Sequence, residues 1–260
     1  MATNPSIPPQ ISQAPSQPSL ETPPLSEGQR LLDTLIAPSK AFTDLRRNAS
    51  WWAPFVIIAI VSVLFGYVVD QKVGFRKVVD NVIQLQPKQA AQLENMPADQ
   101  REKNLALQAT ITKFITYGFP VIALLLYVVF AAVLFATLKF GASADLKFSK
   151  MFALVVYTRL PQILMPLLSI SSLLAGVSSD GFNLQNPVAT NPGYFIGPEG
   201  SPVLRALLTP LDVLSIWSLV LTAIGITCIT KVKRGTAFAV VFGWFAFVVL
   251  ARVALAALTS

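Results

Sequence analysis

Two charged residues, Arg159 and Asp212, lie in or beside long apolar stretches of this sequence, and they are its first candidates for chemistry. Ionisable residues within membrane-spanning segments often mark ion or substrate paths, because an unpaired charge there is costly. An ion pair between Arg159 and Asp212 would require both side chains to reach the middle of the bilayer. The favoured prediction is that Arg159 extends to the headgroups and that Asp212 begins a helix, where a carboxylate is favourable.

Two prolines, Pro161 and Pro166, follow Arg159 in the same stretch. Proline has no backbone N–H and interrupts a helix, so the pair predicts a kink that leaves two carbonyl groups without helical partners. Broken helices of this kind form binding sites in transporters, which gives one functional hypothesis. A structural kink is the favoured interpretation.

The residue types that most enzymatic sites require are missing. The chain has no histidine, and its single cysteine is Cys228. Histidine-dependent triads, dyads and zinc motifs are therefore excluded, and one aspartate beside a span does not make an aspartyl protease. We expect no catalytic residues, no cofactor and no metal. Seven basic and five acidic residues leave positions 70–113 nearly neutral, so we also expect no nucleic-acid partner.

Long stretches of uncharged residues predict the helices that position these side chains. Of the 260 residues, 53% are hydrophobic and 13% are charged, whereas soluble domains carry about 25% charged residues. Several runs reach the roughly 20 apolar residues that a helix needs to cross a bilayer. We predict an all-α, polytopic membrane protein with five transmembrane helices, at 51–69, 114–138, 151–177, 213–230 and 235–251. A helical extramembrane segment occupies 70–113, and a turn-rich loop occupies 178–210.

The chain before the first span divides into two segments. Residues 1–25 are rich in proline and serine, which predicts a disordered tail. Residues 26–50 predict short amphipathic helices on the inner headgroups. The candidate membrane-interface residues are Lys40, Phe42, Arg46, Arg47, Trp51 and Trp52.

Orientation follows from the lysines and arginines of the short loops. Positive charge in short loops marks the cytoplasmic side, which predicts a cytoplasmic amino terminus and an external carboxyl terminus. The basic connection 231–234 joins the last two spans as a hairpin. Along the fifth span, Gly235, Ala239 and Gly243 form a stripe of small residues, which predicts close packing of another helix.

Three sequence elements are similar to the Yip family, whose bacterial members are relatives of the Ypt/Rab-interacting membrane proteins. These are Ile36–Leu45 with its Pro-x-x-x-Phe element, Trp51-Trp52-Ala53-Pro54 at the first span, and Tyr157-Thr158-Arg159-Leu160-Pro161 in the third. The last resembles a Tyr-x-x-x-Pro signature and makes Tyr157 a candidate functional or packing residue. The resemblance covers residues 31–258.

The resemblance implies a five-span scaffold of a bacterial plasma membrane. The family's Asp-Leu-Tyr-Gly-Pro motif is reduced here to Asp44-Leu45, and Val156 replaces the usual glycine before Tyr157. For this reason we expect no Rab-type GTPase as a partner. The leading hypothesis is a non-enzymatic scaffold or assembly protein whose partners are the lipid bilayer and other membrane proteins or copies of itself. The alternatives are a transporter or permease component using the kinked third span, and a lipid-sensing or membrane-shaping protein.

Overall fold

A computed structural model describes residues 23–197 and 199–259, and every regular element in these residues is helical. The helices are α1 (Glu27–Ile36), α2 (Pro38–Asp44), α3 (Trp52–Lys72), α4 (Phe75–Gln84), α5 (Pro87–Glu94), α6 (Ala98–Tyr117), α7 (Phe119–Ala136), α8 (Phe148–Thr158), α9 (Leu164–Leu174), α10 (Pro202–Leu208), α11 (Val213–Ile229) and α12 (Arg234–Thr259). This confirms the predicted all-α fold class. The predicted disordered tail falls almost entirely outside the described residues.

Four helical stretches are long and apolar enough to cross a membrane. They are α3, α7 with its continuation to Gly141, the stretch Phe148–Leu174 that contains α8 and α9, and α12 as far as Leu258. A fifth candidate is the pair α10 and α11, which meet at a bend of 43°. The chain is therefore a multi-pass membrane protein with four or five candidate spans. Helix α11 alone has 17 residues and is about 26 Å long.

Three features differ most from the prediction. The second span begins at Phe119 rather than at 114, because α6 ends at Tyr117 and Pro120 lies in the first turn of α7. Helix α10 lies within the segment predicted as a turn-rich loop, where Ser201 caps it by accepting a hydrogen bond from the Leu204 backbone N–H at 3.3 Å. Helix α12 continues beyond the predicted end at 251.

The extramembrane segments gather at two ends of the helix bundle. One end, here called the α1–α2 end, also carries the α7–α8 and α11–α12 connections, whose residues pack on the same buried cluster as Phe42 and Leu45. The opposite end carries α4–α6 and the segment that follows α9. There, the side-chain amide of Asn81 donates to the carbonyl oxygens of Ser179 and Phe182, both at 3.0 Å. Lys77 also forms an ion pair with Asp180 at 2.7 Å.

Helices α8 and α11 form the centre of the bundle. Every residue from Met151 to Thr158 is buried. The two helices approach closely because Gly225 of α11 lies against the side chain of Leu154, where a Cβ atom would collide with Leu154. Within this apolar contact the Thr222 hydroxyl lies 2.9 Å from that of Thr158, which donates to the carbonyl oxygen of Val155 at 3.0 Å.

Candidate functional site

A buried charged cluster joins α1 and α2 to the third span. It consists of Glu27, Arg30, Asp44 and Tyr157, and is called the Arg30 cluster below. The Arg30 guanidinium donates to Asp44 Oδ2 from Nε at 3.0 Å and from Nη2 at 2.6 Å. Its Nη1 lies 3.1 Å from Glu27 Oε1 and 3.5 Å from the Tyr157 oxygen. The Tyr157 hydroxyl donates to Glu27 Oε2 at 2.9 Å.

Local sequence fixes the two helices that carry this cluster. Ser26 and Gln29 form a capping box, in which each side chain accepts a hydrogen bond from the other's backbone N–H, at 3.3 and 3.1 Å. Helix α2 begins with Pro38, whose missing N–H is not needed in a first helical turn. Because α1 and α2 are separated by one residue, Asp44 returns to Arg30 across the resulting turn.

Arg30 is 1% exposed and Tyr157 is fully buried. Burial alone would lower the pKa of Arg30, but its hydrogen bonds with Tyr157 and Asp44 outweigh that effect and leave the pKa above its usual value. The guanidinium therefore stays charged and is held by two carboxylates. Removing one partner of such a buried pair is strongly destabilising, because the other charge loses its compensation.

This arrangement corrects the predicted role of Phe42. Phe42 is 0% exposed and belongs to the main apolar core, so it packs on the bundle and does not contact headgroups. The pattern of α2 has an apolar face, and that face meets α11 rather than lipid. Of the other predicted interface residues, Arg46, Arg47 and Trp52 are exposed. Lys40 is exposed and pairs with Asp33 at 2.8 Å, and Trp51 packs edge-on against Phe152.

Two large apolar side chains of α1 remain uncovered. Leu32 is 58% exposed and Ile36 is 69% exposed, whereas Leu31 and Leu35 pack against the core. Leu32 and Ile36 are four residues apart and lie on one helix face. The docked helices therefore present an apolar pair on the outside of the α1–α2 end.

Arg159 ends α8 at the break in the third span. A 3-10 turn, Leu160–Ile163, separates α8 from α9. The Arg159 guanidinium lies over the ring of Phe130 at 4.6 Å and near that of Tyr127 at 5.9 Å. Its Nε is buried without a hydrogen-bond partner among the described residues. Arg159 is half-buried, and its guanidinium rests on aromatic rings of α7.

The prolines and Asp212 mark helix beginnings. Pro161 lies in the first turn of the 3-10 segment and Pro166 in the first turn of α9, where few backbone N–H groups need partners. The kink therefore lies where two successive helical segments begin. Asp212 caps α11 as predicted, since its Oδ1 accepts from the Ser215 N–H at 2.8 Å. None of the ion pairs among the described residues joins it to Arg159.

The small-residue stripe of α12 lies on the exposed side of the helix. Gly235, Ala239 and Gly243 are exposed, and a Cβ atom added at either glycine would have no neighbour within 4 Å. The side that packs on the bundle instead carries Ala237 and Val241, which are fully buried. No helix in the described part of this chain covers the stripe.

The sequence prediction missed Glu27, Arg30 and Asp44 as members of one site. Two signals were available. Glu27 and Arg30 are three residues apart on one helix, and Asp44 belongs to the reduced Asp-Leu-Tyr-Gly-Pro motif. Neither signal indicated Tyr157, which is more than 100 positions away, as a partner of Glu27 and Arg30. Within the described residues, no three potential metal-ligating residues (His, Cys, Asp or Glu) lie together.

Comparison with known proteins gives one match. A family model described as the Yip1 domain matches residues 32–255. No curated protein and no solved structure matches the chain. The matched region contains Asp44 and Tyr157, whereas Glu27 and Arg30 precede it.

Proposed function

Because the chain belongs to the family of Yip1-domain membrane proteins, we propose that it is a non-enzymatic scaffold that holds other membrane proteins at its α1–α2 end. The observation that carries this proposal is the docking of α1 and α2 by the Arg30 cluster. A helix pair fixed in this way presents its outer face in one orientation, and a rigid face binds a partner with a smaller entropic cost.

The outer face of α1 has the chemistry of a small protein contact. Leu32 and Ile36 form an exposed apolar pair, and Lys40 and Arg46 are exposed nearby in the chain. Apolar side chains surrounded by charges are typical of protein interfaces. We propose that this pair anchors a partner protein.

We further propose that the amino terminus is cytoplasmic and that the protein resides in a bacterial plasma membrane. The basic connection 231–234 lies at the α1–α2 end, together with Lys139 and Lys147 of the α7–α8 connection. Short basic loops face the cytoplasm in most membrane proteins. The bacterial assignment rests on the sequence resemblance described above.

The test is site-specific photo-crosslinking in native membranes. A photoreactive residue at Ile36 is expected to give a discrete protein adduct at fixed stoichiometry, and Leu32→Gln is expected to reduce that adduct strongly. Phe195 is the control, since this apolar side chain is 76% exposed, against 69% for Ile36, and lies at the opposite end of the bundle. Equal adducts from positions 36 and 195, or adducts indifferent to Leu32→Gln, would contradict the proposal.

A second candidate is a lipid-sensing protein, which the exposed basic residues of α2 and its following turn favour. In that case the reagent at Ile36 is expected to capture lipid, in an amount that rises with anionic lipid and falls with salt. The double variant Lys40→Gln and Arg46→Gln separates the two functions. It should abolish lipid capture by a sensor, whereas a scaffold anchored by Leu32 and Ile36 should keep most of its protein adduct.

A further inference from the structure

Arg159 is a cation without a counter-charge in the described part of the molecule. No ion pair among the described residues includes it, and its buried Nε has no hydrogen-bond partner. Its contacts with Phe130 and Tyr127 are through aromatic faces, which attract a cation but accept no conventional hydrogen bond. Arg30, by contrast, is held by two carboxylates. A guanidinium within a membrane span is costly unless an anion neutralises it.

Arg159 lines a cavity of about 440 Å³ between α7, α11 and α12. This volume is within the usual range for small-molecule sites, roughly 300–1,000 Å³. The lining is mostly apolar, but Arg159, Gln162, Ser215 and Arg252 also contribute to it, and no carboxylate does. Two guanidinium groups with an amide and a hydroxyl donor, in an otherwise apolar lining, are suited to an acidic head group rather than to a cation.

The cavity opens toward the lipid-facing side of the bundle. Leu126 and Val129 of α7 and Val248 of α12 line it, and all three are largely exposed on the outside of the bundle. These helices are candidate membrane spans. A ligand can therefore enter sideways from the bilayer, with its apolar part remaining between α7 and α12.

We propose that this cavity binds an anionic lipid, whose acidic phosphate is held by Arg159 and Arg252 and whose acyl chain lies along α7 and α12. The lipid would supply the counter-charge that the described chain does not give Arg159. This inference does not depend on the scaffold function, since the cavity does not involve α1 or α2.

An acidic residue lines a neighbouring cavity. That second cavity, about 430 Å³, shares Pro210, Ser215 and Arg252 with the first and is also lined by Asp212. Asp212 already uses Oδ1 to cap α11, and its Oδ2 has no hydrogen-bond partner among the described residues. The Asp212 carboxylate should therefore weaken an anion at Arg252, so its removal is expected to strengthen lipid binding.

The test is native mass spectrometry of the full-length protein in a nonionic detergent, with phosphatidylglycerol or phosphatidylcholine added as the probe. We expect one phosphatidylglycerol to be retained in preference to phosphatidylcholine. Arg159→Gln and Arg252→Gln should each reduce its retention about tenfold or more, because each removes a charge-assisted hydrogen bond. Asp212→Asn should retain it as well as or better than the unchanged protein.

The test includes a control variant, a second variant of the site and a competing anion. Lys231→Gln removes an exposed positive charge at the α1–α2 end and should leave retention unchanged. Arg252 is exposed, so Arg252→Gln tests the site even where Arg159→Gln fails to fold. Equal retention of both lipids, or retention indifferent to Arg252→Gln, would overturn the proposal. Displacement of the lipid by millimolar inorganic phosphate would also overturn it, since the site would then take the free anion.

Discussion

The same residue type occupies two opposite environments in this protein. Arg30 is almost fully buried but is held by Asp44, Glu27 and the Tyr157 hydroxyl. Arg159 packs on aromatic rings and has no such acceptors among the described residues. Low dielectric strengthens a satisfied ion pair and penalises an unsatisfied charge. At the residue scale, Arg30 is therefore expected to hold the structure together, and Arg159 to require a ligand.

Replacing Arg30 with methionine should release α1 and α2 from the bundle. The change keeps much of the volume but leaves Asp44 and Glu27 without their cation, and breaking a buried pair costs about 3–5 kcal/mol. Amide hydrogen exchange in α1 and α2, measured in lipid nanodiscs, should accelerate at least about a hundredfold. Arg46→Met, at an exposed position, is the control and should leave exchange unchanged.

A double variant tests the physical cause of that release. In Arg30→Met with Asp44→Leu, apolar groups replace most of the ion pair, a change that is often neutral or stabilising in other proteins. Protection of α1 should return most of the way to that of the unchanged protein. If the double variant exchanges as fast as Arg30→Met alone, the unpaired carboxylate is not the cause.

Tyr157→Phe should have a smaller effect of the same kind. It removes the hydrogen bond to Glu27 Oε2 at 2.9 Å and keeps the ring that packs in the core. One hydrogen bond to a charged group contributes about 1.5–3 kcal/mol. Exchange in α1 should therefore rise less than in Arg30→Met. An equal or greater rise would place the main tether at Tyr157 rather than at Arg30.

At the scale of elements, two glycines should differ sharply in their tolerance of substitution. A Cβ atom at Gly225 would collide with Leu154, which is fully buried, whereas one at Gly235 has no neighbour within 4 Å. Overpacking of this kind costs about 1–3 kcal/mol. Gly225→Ala should therefore lower the Tm in detergent by several degrees, while Gly235→Ala leaves it unchanged. Equal Tm values for the two variants would contradict the observed α8–α11 contact.

The contact between α4 and α6 should depend on pH through Glu102. Both oxygens of Glu102 accept hydrogen bonds from Arg76, at 2.7 and 2.9 Å. This hydrogen bonding is the main reason that the pKa of Glu102 lies below its usual value. A lowered carboxylate pKa stabilises the folded state fully above the unfolded pKa, about 4.3 for glutamate, and the stabilisation is lost as pH falls through the folded pKa.

The measurement is amide exchange in α4 and α6 as pH is lowered, corrected for the intrinsic pH dependence of exchange. Protection should stay constant down to about pH 5 and then decline modestly below about pH 4, because the pair is exposed and screened by solvent. Glu102→Gln should show lower protection throughout and no such decline from this residue. A decline of the same size in Glu102→Gln would assign the effect to other carboxylates.

The sequence predicted the helices better than the contacts between them. Long charge-free runs predicted the spans, because a bilayer requires apolar helices of a minimum length. The amphipathic pattern of α1 and α2 predicted a buried face, but the pattern is the same whether that face meets lipid or protein, so Phe42 was placed wrongly. The segment that contains α10 was predicted as a loop because its residues favour turns. Ser201 and Pro202, however, also form a good helix start.

At the scale of the whole molecule, long-range contacts fix which segments share an end of the helix bundle. Asn81 and Lys77 of α4 bind the segment after α9, and Arg205 of α10 donates to the carbonyl oxygen of Leu85 at 3.3 Å. The described residues of 70–118 and 175–212 therefore lie at one end. The connections at 137–147 and 230–233 lie at the other end with α1 and α2. We therefore predict five crossings, with α11 as the fourth.

Cysteine accessibility tests both this grouping and the proposed orientation. In a Cys228→Ser background, single cysteines replace exposed residues at the two ends: Ser39→Cys and Lys231→Cys at the α1–α2 end, and Lys103→Cys and Gln185→Cys at the opposite end. A membrane-impermeant maleimide applied to intact bacterial spheroplasts should label positions 103 and 185. Positions 39 and 231 should react only after lysis, because a cytoplasmic amino terminus places them inside. A full reversal of the labelling pattern would overturn the orientation but not the fold. Disagreement between the two positions of one end would overturn the five-span arrangement.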